Sequence, residues 1–155
     1  MNILDFLTPG SVALHYSAAD AKEVITHLGN LLFEAGYVRE SFVDAALDRE
    51  GRLPTGLPLS GDVNAAIPHT EVEHVIKPGL AMATLSAPVT FQNMISPEEP
   101  VPCRLVFVMA LDQPKGQIEM LQEIARILQD PSTIDILMSA NDFEQVQAAF
   151  SKVHS

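Results

Sequence analysis

Apolar segments of strand length crowd into the middle of this chain, and segments with helical periodicity lie on both sides of them. The strand signal falls at 64–67, 79–85, 89–91 and 104–111, each a short apolar run bounded by turn residues. A repeating βαβ unit would place a helix between every two parallel strands. The observed order does not. It predicts an α/β fold with a mixed central β-sheet flanked by helices on both faces. The order in which the strands pair does not follow from the pattern.

Local punctuation sets the remaining elements. Residues 12–16 read as a further short strand. Ser17 and Asp20 offer a start for a first helix, in which Val24, Ile25, Leu28, Leu31, Leu32 and Ala35 recur at helical spacing until Gly36 stops it. A second helix from about Arg39 puts Phe42, Val43, Ala46 and Leu47 on one face. It ends near Glu50 and Gly51, so Arg49 falls in its last turn. Residues 52–62 and 94–102 are rich in turn residues and read as loops. Pro114 opens an amphipathic helix reaching Leu128, and Asp130-Pro131-Ser132 separates it from two short helices at about 132–138 and 142–153. There is no linker-like stretch and no repeat, so residues 1–155 are expected to form a single domain with a substantial core.

The formal net charge of −11 argues against nucleic acid and anionic membrane surfaces as partners, since both select basic proteins. A positive pocket is still compatible with it if Arg49, Arg52, Lys77 and Arg104 cluster. The single cysteine, Cys103, permits no intramolecular disulfide, and its apolar surroundings make it a buried small hydrophobe. The N-terminus lacks a basic region, and the longest apolar run, 105–111, is too short to span a bilayer. A cytoplasmic protein without direct membrane insertion is expected. The six methionines are scattered, which fits core filling, and no metal site or organic cofactor is expected.

The segment Val63-Asn64-Ala65-Ala66-Ile67-Pro68-His69-Thr70 carries the chemistry. Pro68 ends the apolar run and leaves His69 at the end of a strand, where α/β folds place ligands. Arg49 lies 20 residues earlier, followed by Pro54-Thr55-Gly56-Leu57. A neutral imidazole and a permanent guanidinium suit one phosphoryl group, as nucleophile and as a two-pronged contact for its oxygens. Thr55, Thr70 or backbone N–H groups near Gly56 are candidate hydrogen-bond donors to those oxygens. A lone histidine after a strand is more often structural, and an arginine at a helix C-terminus complements the dipole.

With Ala46-Leu47-Asp48-Arg49-Glu50, Pro54-Thr55-Gly56-Leu57, Ala66-Ile67-Pro68-His69-Thr70 and the helical stretch Gln117-Ile118-Glu119-Met120-Leu121-Gln122-Glu123-Ile124 in this order, the chain resembles the enzyme IIA components of the bacterial phosphotransferase system. The class is fructose–mannitol (EIIA type 2), and the galactitol-type branch is the nearer likeness. The resemblance covers nearly the whole chain. It implies a phosphotransferase/anion transport protein-like fold and a phosphocarrier function. HPr would donate a phosphoryl group to His69, at Nε2, and a cysteine of a separate IIB component would accept it. A membrane IIC component would couple the transfer to sugar or sugar-alcohol uptake. Arg49 matches the family's arginine. Many members carry a second histidine where Gln117 stands, and the galactitol-type branch resembles this chain in having glutamine. The resemblance thus leaves Gln117 or His74 to take that histidine's place. A glutamate preceding the histidine in mannitol-type members has no counterpart, because Val63 occupies its place and the adjacent Asp62 is not given the role.

Two other readings stand beside this one. A regulatory IIA-like protein of the nitrogen-related branch would act through its phosphorylation state. A plain binding module would share the fold without phosphotransfer. The sugar itself is outside the reach of a IIA sequence.

Overall fold

The computed structural model describes residues 1–154, with side chains through Lys152. Five strands, β1 (Val12–Tyr16), β2 (Gly56–Leu57), β3 (Asn64–Ala66), β4 (Gly79–Gln92) and β5 (Pro100–Ala110), form one sheet in the order β1-β4-β5-β3-β2. β1 runs parallel to β4 and β3 parallel to β5, while the β4–β5 and β2–β3 pairs are antiparallel. The helices are α1 (Ala21–Glu34), α2 (Phe42–Arg52), α3 (Pro114–Ile127), α4 (Pro131–Ser139) and α5 (Phe143–His154).

The central strand explains why its sequence is a continuous apolar run. Leu105, Phe107 and Met109 of β5 face one layer with α3, α4 and α5, through Met120, Ile124, Leu137 and Phe150. Val106, Val108 and Ala110 face the other layer with α1 and α2, through Val24, Leu28, Leu32, Phe42 and Ala46. Both faces of the strand are covered, so alternation with polar residues is lost. Each such valine, leucine, isoleucine, phenylalanine or methionine side chain contributes about 1.5–3 kcal/mol by burial. The mixed sheet with helices on both faces is thus the architecture that the pattern predicts.

Helix ends follow their local chemistry. The Asp20 side chain accepts from the Glu23 backbone N–H and Glu23 accepts in turn from Ala19, so α1 starts from Asp20 and not from Ser17. Gly36 closes it at φ +85°, with Tyr37 N–H donating to Leu32 O, a left-handed stop that suits glycine.

Three boundaries differ from the sequence reading. The 52–62 segment is not wholly a loop: Gly56 and Leu57 pair with Ala66 and Ala65. The runs at 79–85 and 89–91 are one long strand, broken in register by a bulge between Thr84 and Val89. The 94–102 loop shrinks to a tight turn, because β5 already starts at Pro100. Pro100 and Pro102 are tolerated there because their missing donors fall on the edge away from β4. Asn64 Nδ2 donates to the Pro102 carbonyl from that side, and β3 begins to pair only at Cys103.

The four cations do not form one cluster. Arg49 and Arg52 both face Glu71, Lys77 lies over the Tyr37 ring, and Arg104 donates to the Leu85 carbonyl at the bulge. Cys103 is fully buried, its thiol donating to the Ala65 and Val101 carbonyls, and burial pushes its pKa up to about 12.

Candidate functional site

The site forms where β3 leaves the sheet beside the C-terminal end of β5. Ile67 is buried, and Pro68 O accepts from Met109 N–H. A single parallel bridge between His69 and Met109 then ties the histidine to the sheet's end. The ring is half-buried, and its Nδ1 lies 2.9 Å from the Ile67 carbonyl oxygen. A carbonyl can only accept, so Nδ1 carries the ring proton and Nε2 keeps its lone pair. Burial holds the His69 pKa below the ordinary histidine value. The Ile67 hydrogen bond and Glu71 oppose that, and the Arg49 charge adds to it. The imidazole is therefore neutral at pH 7 with Nε2 as its nucleophilic atom.

Arg49 reaches the same place from the last turn of α2. Its Nη1 is 3.6 Å from Glu71 Oε2, too long for a hydrogen bond. Its Nε is the one buried side-chain nitrogen or oxygen among the described residues without a hydrogen-bond partner. A buried donor left unmade is costly, and it is commonly retained where a ligand supplies the acceptor. Arg52 lies 3.8 Å from the other Glu71 oxygen, so one carboxylate loosely holds two guanidinium groups.

The structure redistributes the supporting residues. Gln117 is brought in: its Nε2 donates to the Thr70 carbonyl at 2.6 Å, joining the start of α3 to the loop after His69. His74 is not. Its Nδ1 pairs with Ser41 at the start of α2, and its carbonyl takes the Arg39 N–H. Along the α2 axis that is about 12 Å from Arg49, at 1.5 Å per residue. The hydroxyl of Thr55 is spent on Glu50 and that of Thr70 on the Glu71 carbonyl, and both side chains are buried, so neither serves as a free donor. Gly56 has a packing role. A Cβ there would sit 2.5 Å from the Gln92 carbonyl oxygen.

Two residues that single-residue reasoning passes over are built into the site. Glu71, two positions after His69, partners both arginines. Glu50 accepts from Thr55 twice, from Oγ1 and from the backbone N–H, each at 2.8 Å. In the sequence Glu50 stands out only as the last residue of the Ala46–Glu50 motif, next to Arg49.

Comparison with known proteins places nearly the whole chain in one family. The model of the family described as the phosphoenolpyruvate-dependent sugar phosphotransferase system, EIIA 2, matches residues 5–153. The galactitol-specific EIIA component of Escherichia coli is 29% identical over 136 residues, which is 88% of this chain and 89% of that protein. The mannitol-specific EIICBA component of Vibrio cholerae is 32% identical over 139 residues, 88% of this chain and 20% of that longer protein. Among solved structures, the crystal structure of IIA mannitol from Escherichia coli superposes with a TM-score of 0.77 at 29% identity, covering 93% of this chain and 98% of that one. The enzyme IIAMTL in complex with phosphorylated enzyme IIBMTL, also from Escherichia coli, gives 0.78 at 27% identity, covering 94% and 97%. The chain belongs to the EIIA type-2 family of the phosphoenolpyruvate-dependent sugar phosphotransferase system.

Proposed function

We propose that this chain is a phosphocarrier acting as one domain over residues 1–155, in which His69 Nε2 takes a phosphoryl group from phospho-HPr and hands it to a cysteine of a IIB component. The observation that carries this is the His69 ring itself, with Nδ1 proton-bound to the Ile67 carbonyl and Nε2 free beside an arginine whose Nε lacks a partner.

In the first step the Nε2 lone pair attacks phosphorus. The bond from phosphorus to the donor breaks, and its electrons leave with the donor. In the second, a thiolate attacks the same phosphorus and Nε2 departs with its pair, again as neutral imidazole. Phosphoryl transfer is mainly alignment and neutralisation of the equatorial oxygens. The Ile67 carbonyl provides alignment, and it stabilises the ring when phosphorylation makes Nδ1–H more acidic. Arg49 provides neutralisation: its long contact to Glu71 is readily exchanged for phosphoryl oxygens. Leu53, 50% exposed after α2, and Ile118, 59% exposed beside Gln117, offer apolar surface on which a partner can exclude water.

The enzyme IIAMTL complex with phosphorylated enzyme IIBMTL supports the class of acceptor. The mannitol relatives named EIICBA support a membrane IIC component as the third member of the set. Among the described residues no helix is long and apolar enough to cross a membrane, and action from the cytoplasm follows from the proposed partners. The Gln117 amide on the Thr70 carbonyl, in place of a second imidazole, favours transport over the regulatory reading.

Incubation with phosphoenolpyruvate, enzyme I and HPr tests the proposal. Wild type gains one acid-labile phosphate and His69→Ala gains none. A wild type that stays unlabelled, or a labelled His69→Ala, overturns it.

A further inference from the structure

Behind the imidazole lies a chain of hydrogen bonds that ends in a carboxylate. Both Glu50 oxygens accept from Thr55. Thr55 Oγ1 accepts in turn from the Ile67 N–H at 3.1 Å, and the Ile67 carbonyl accepts from His69 Nδ1 at 2.9 Å. The direction of every link is forced. An ionised carboxylate only accepts, so the Thr55 hydroxyl must donate to it and is left to receive the Ile67 N–H. The carbonyl at the other end requires Nδ1–H.

We propose that Glu50 and Thr55 are the positioning pair of this site, fixing the Ile67 N–H so that the carbonyl of the same residue holds the His69 ring in the Nδ1–H form with Nε2 presented outward. This rests on His69 being the phosphoryl acceptor. Glu50 follows Arg49 on α2, so the same carboxylate also sets the arginine against the segment that carries the histidine. Two nucleophile-side parts from different elements are thereby held in one frame, which alignment-limited transfer requires.

A plain fold-stabilising role does not account for a carboxylate here. Glu50 lies in the last turn of α2, where the helix dipole disfavours an anion and a lysine or glutamine would serve. It is also half-buried, and burial raises its pKa against the opposing Thr55 hydrogen bonds and Arg49 charge. What the carboxylate offers that an amide does not is two acceptors facing one residue. The backbone N–H and the hydroxyl of Thr55 are both donors toward it, so a glutamine would turn one of the two contacts into a donor–donor clash.

The test uses the full chain with ¹⁵N-labelled histidine. NMR reads the tautomer of His69, and rapid quench reads phosphorylation by phospho-HPr. Wild type shows the Nδ1–H form. Thr55→Val removes the hydroxyl while keeping the branched shape. It is expected to shift His69 toward the Nε2–H form and to slow the saturated transfer rate roughly 10- to 100-fold, with KM for phospho-HPr within about threefold of wild type. Thr55→Ser restores both readouts. If Thr55→Val fails to fold, Glu50→Gln is read in its place by the same two measurements. A folded variant with either the tautomer or the rate unchanged overturns the proposal. If wild type accepts no phosphate, the phosphocarrier reading fails, and the tautomer comparison alone decides whether Glu50 and Thr55 position the ring.

Discussion

Replacing Arg49 by methionine is expected to slow phosphoryl transfer about 100- to 1000-fold and yet leave the protein as stable as before, or more so. The two effects have separate origins. A preorganised donor aimed at transition-state charge is worth about 2.7–4 kcal/mol, which sets the rate loss. On the folding side, the buried and unpartnered Nε–H of Arg49 costs the native state about 1–3 kcal/mol. Its partner in compensation is Glu71 at 3.6 Å, a carboxylate 46% exposed, and such a pair returns at most about 1 kcal/mol. Methionine keeps much of the apolar stem that packs at the end of α2. The net change in folding free energy is therefore about 0–3 kcal/mol in favour of the variant. Rapid-quench transfer from phospho-HPr gives the rate, and urea unfolding gives the stability. A variant that transfers within about threefold of wild type refutes the reading of Arg49 as the phosphoryl-stabilising group. A variant that loses more than about 1 kcal/mol refutes the reading of its Nε as a native-state cost.

Three further outcomes follow from the same geometry. Because burial holds the His69 pKa below the unfolded value of about 6.5, the acceptor stays neutral as pH falls past that value, and transfer declines only at more acidic pH. The sign for folding is fixed by the same shift: the unfolded chain binds the proton first, so the contribution of His69 to stability is complete above about pH 6.5 and is lost as pH falls through the folded pKa. NMR titration of the ring and urea melts of wild type against His69→Ala check both. Gly56→Ala places a methyl 2.5 Å from the Gln92 carbonyl oxygen and is expected to cost about 1–3 kcal/mol in urea unfolding, with displaced β2 resonances. Cys103, fully buried with its thiol pushed up to about 12, should resist iodoacetamide at pH 8 in the folded protein and react once urea unfolds it.

Much of the architecture was legible because its causes are local. Val24 to Leu32 mark the buried stripe of α1 by spacing, Gly36 marks its end, and Pro114 marks the start of α3. The loop reading failed at the end of 94–102, where three prolines outweighed the alternation of Val101 and Cys103, both buried in the sheet. Proline is excluded from a strand only where its N–H is needed, and which edge is free is a property of the neighbours. The same limit explains the split of β4, since a bulge interrupts the register without ending the strand.

At the candidate site the division is sharper. The ordered motifs, through the family resemblance they carry, single out His69 and Arg49 as candidates, and a strand ended by Pro68 and a helix ended near Gly51 each place one of these side chains at a known point of its element. Sequence alone therefore determined the helices, most of the strands with their buried faces, and the two candidate groups. Only the tertiary structure decided the strand order, the exclusion of His74, the recruitment of Gln117 and Glu71, and the link from Glu50 through Thr55 and Ile67 to the imidazole. The physical reason is range. Helical period, caps and turns act over a few residues. Which side chains meet at 3 Å, by contrast, depends on how separate elements pack across the sheet; Gln117 and Thr70, for example, are 47 positions apart in the chain.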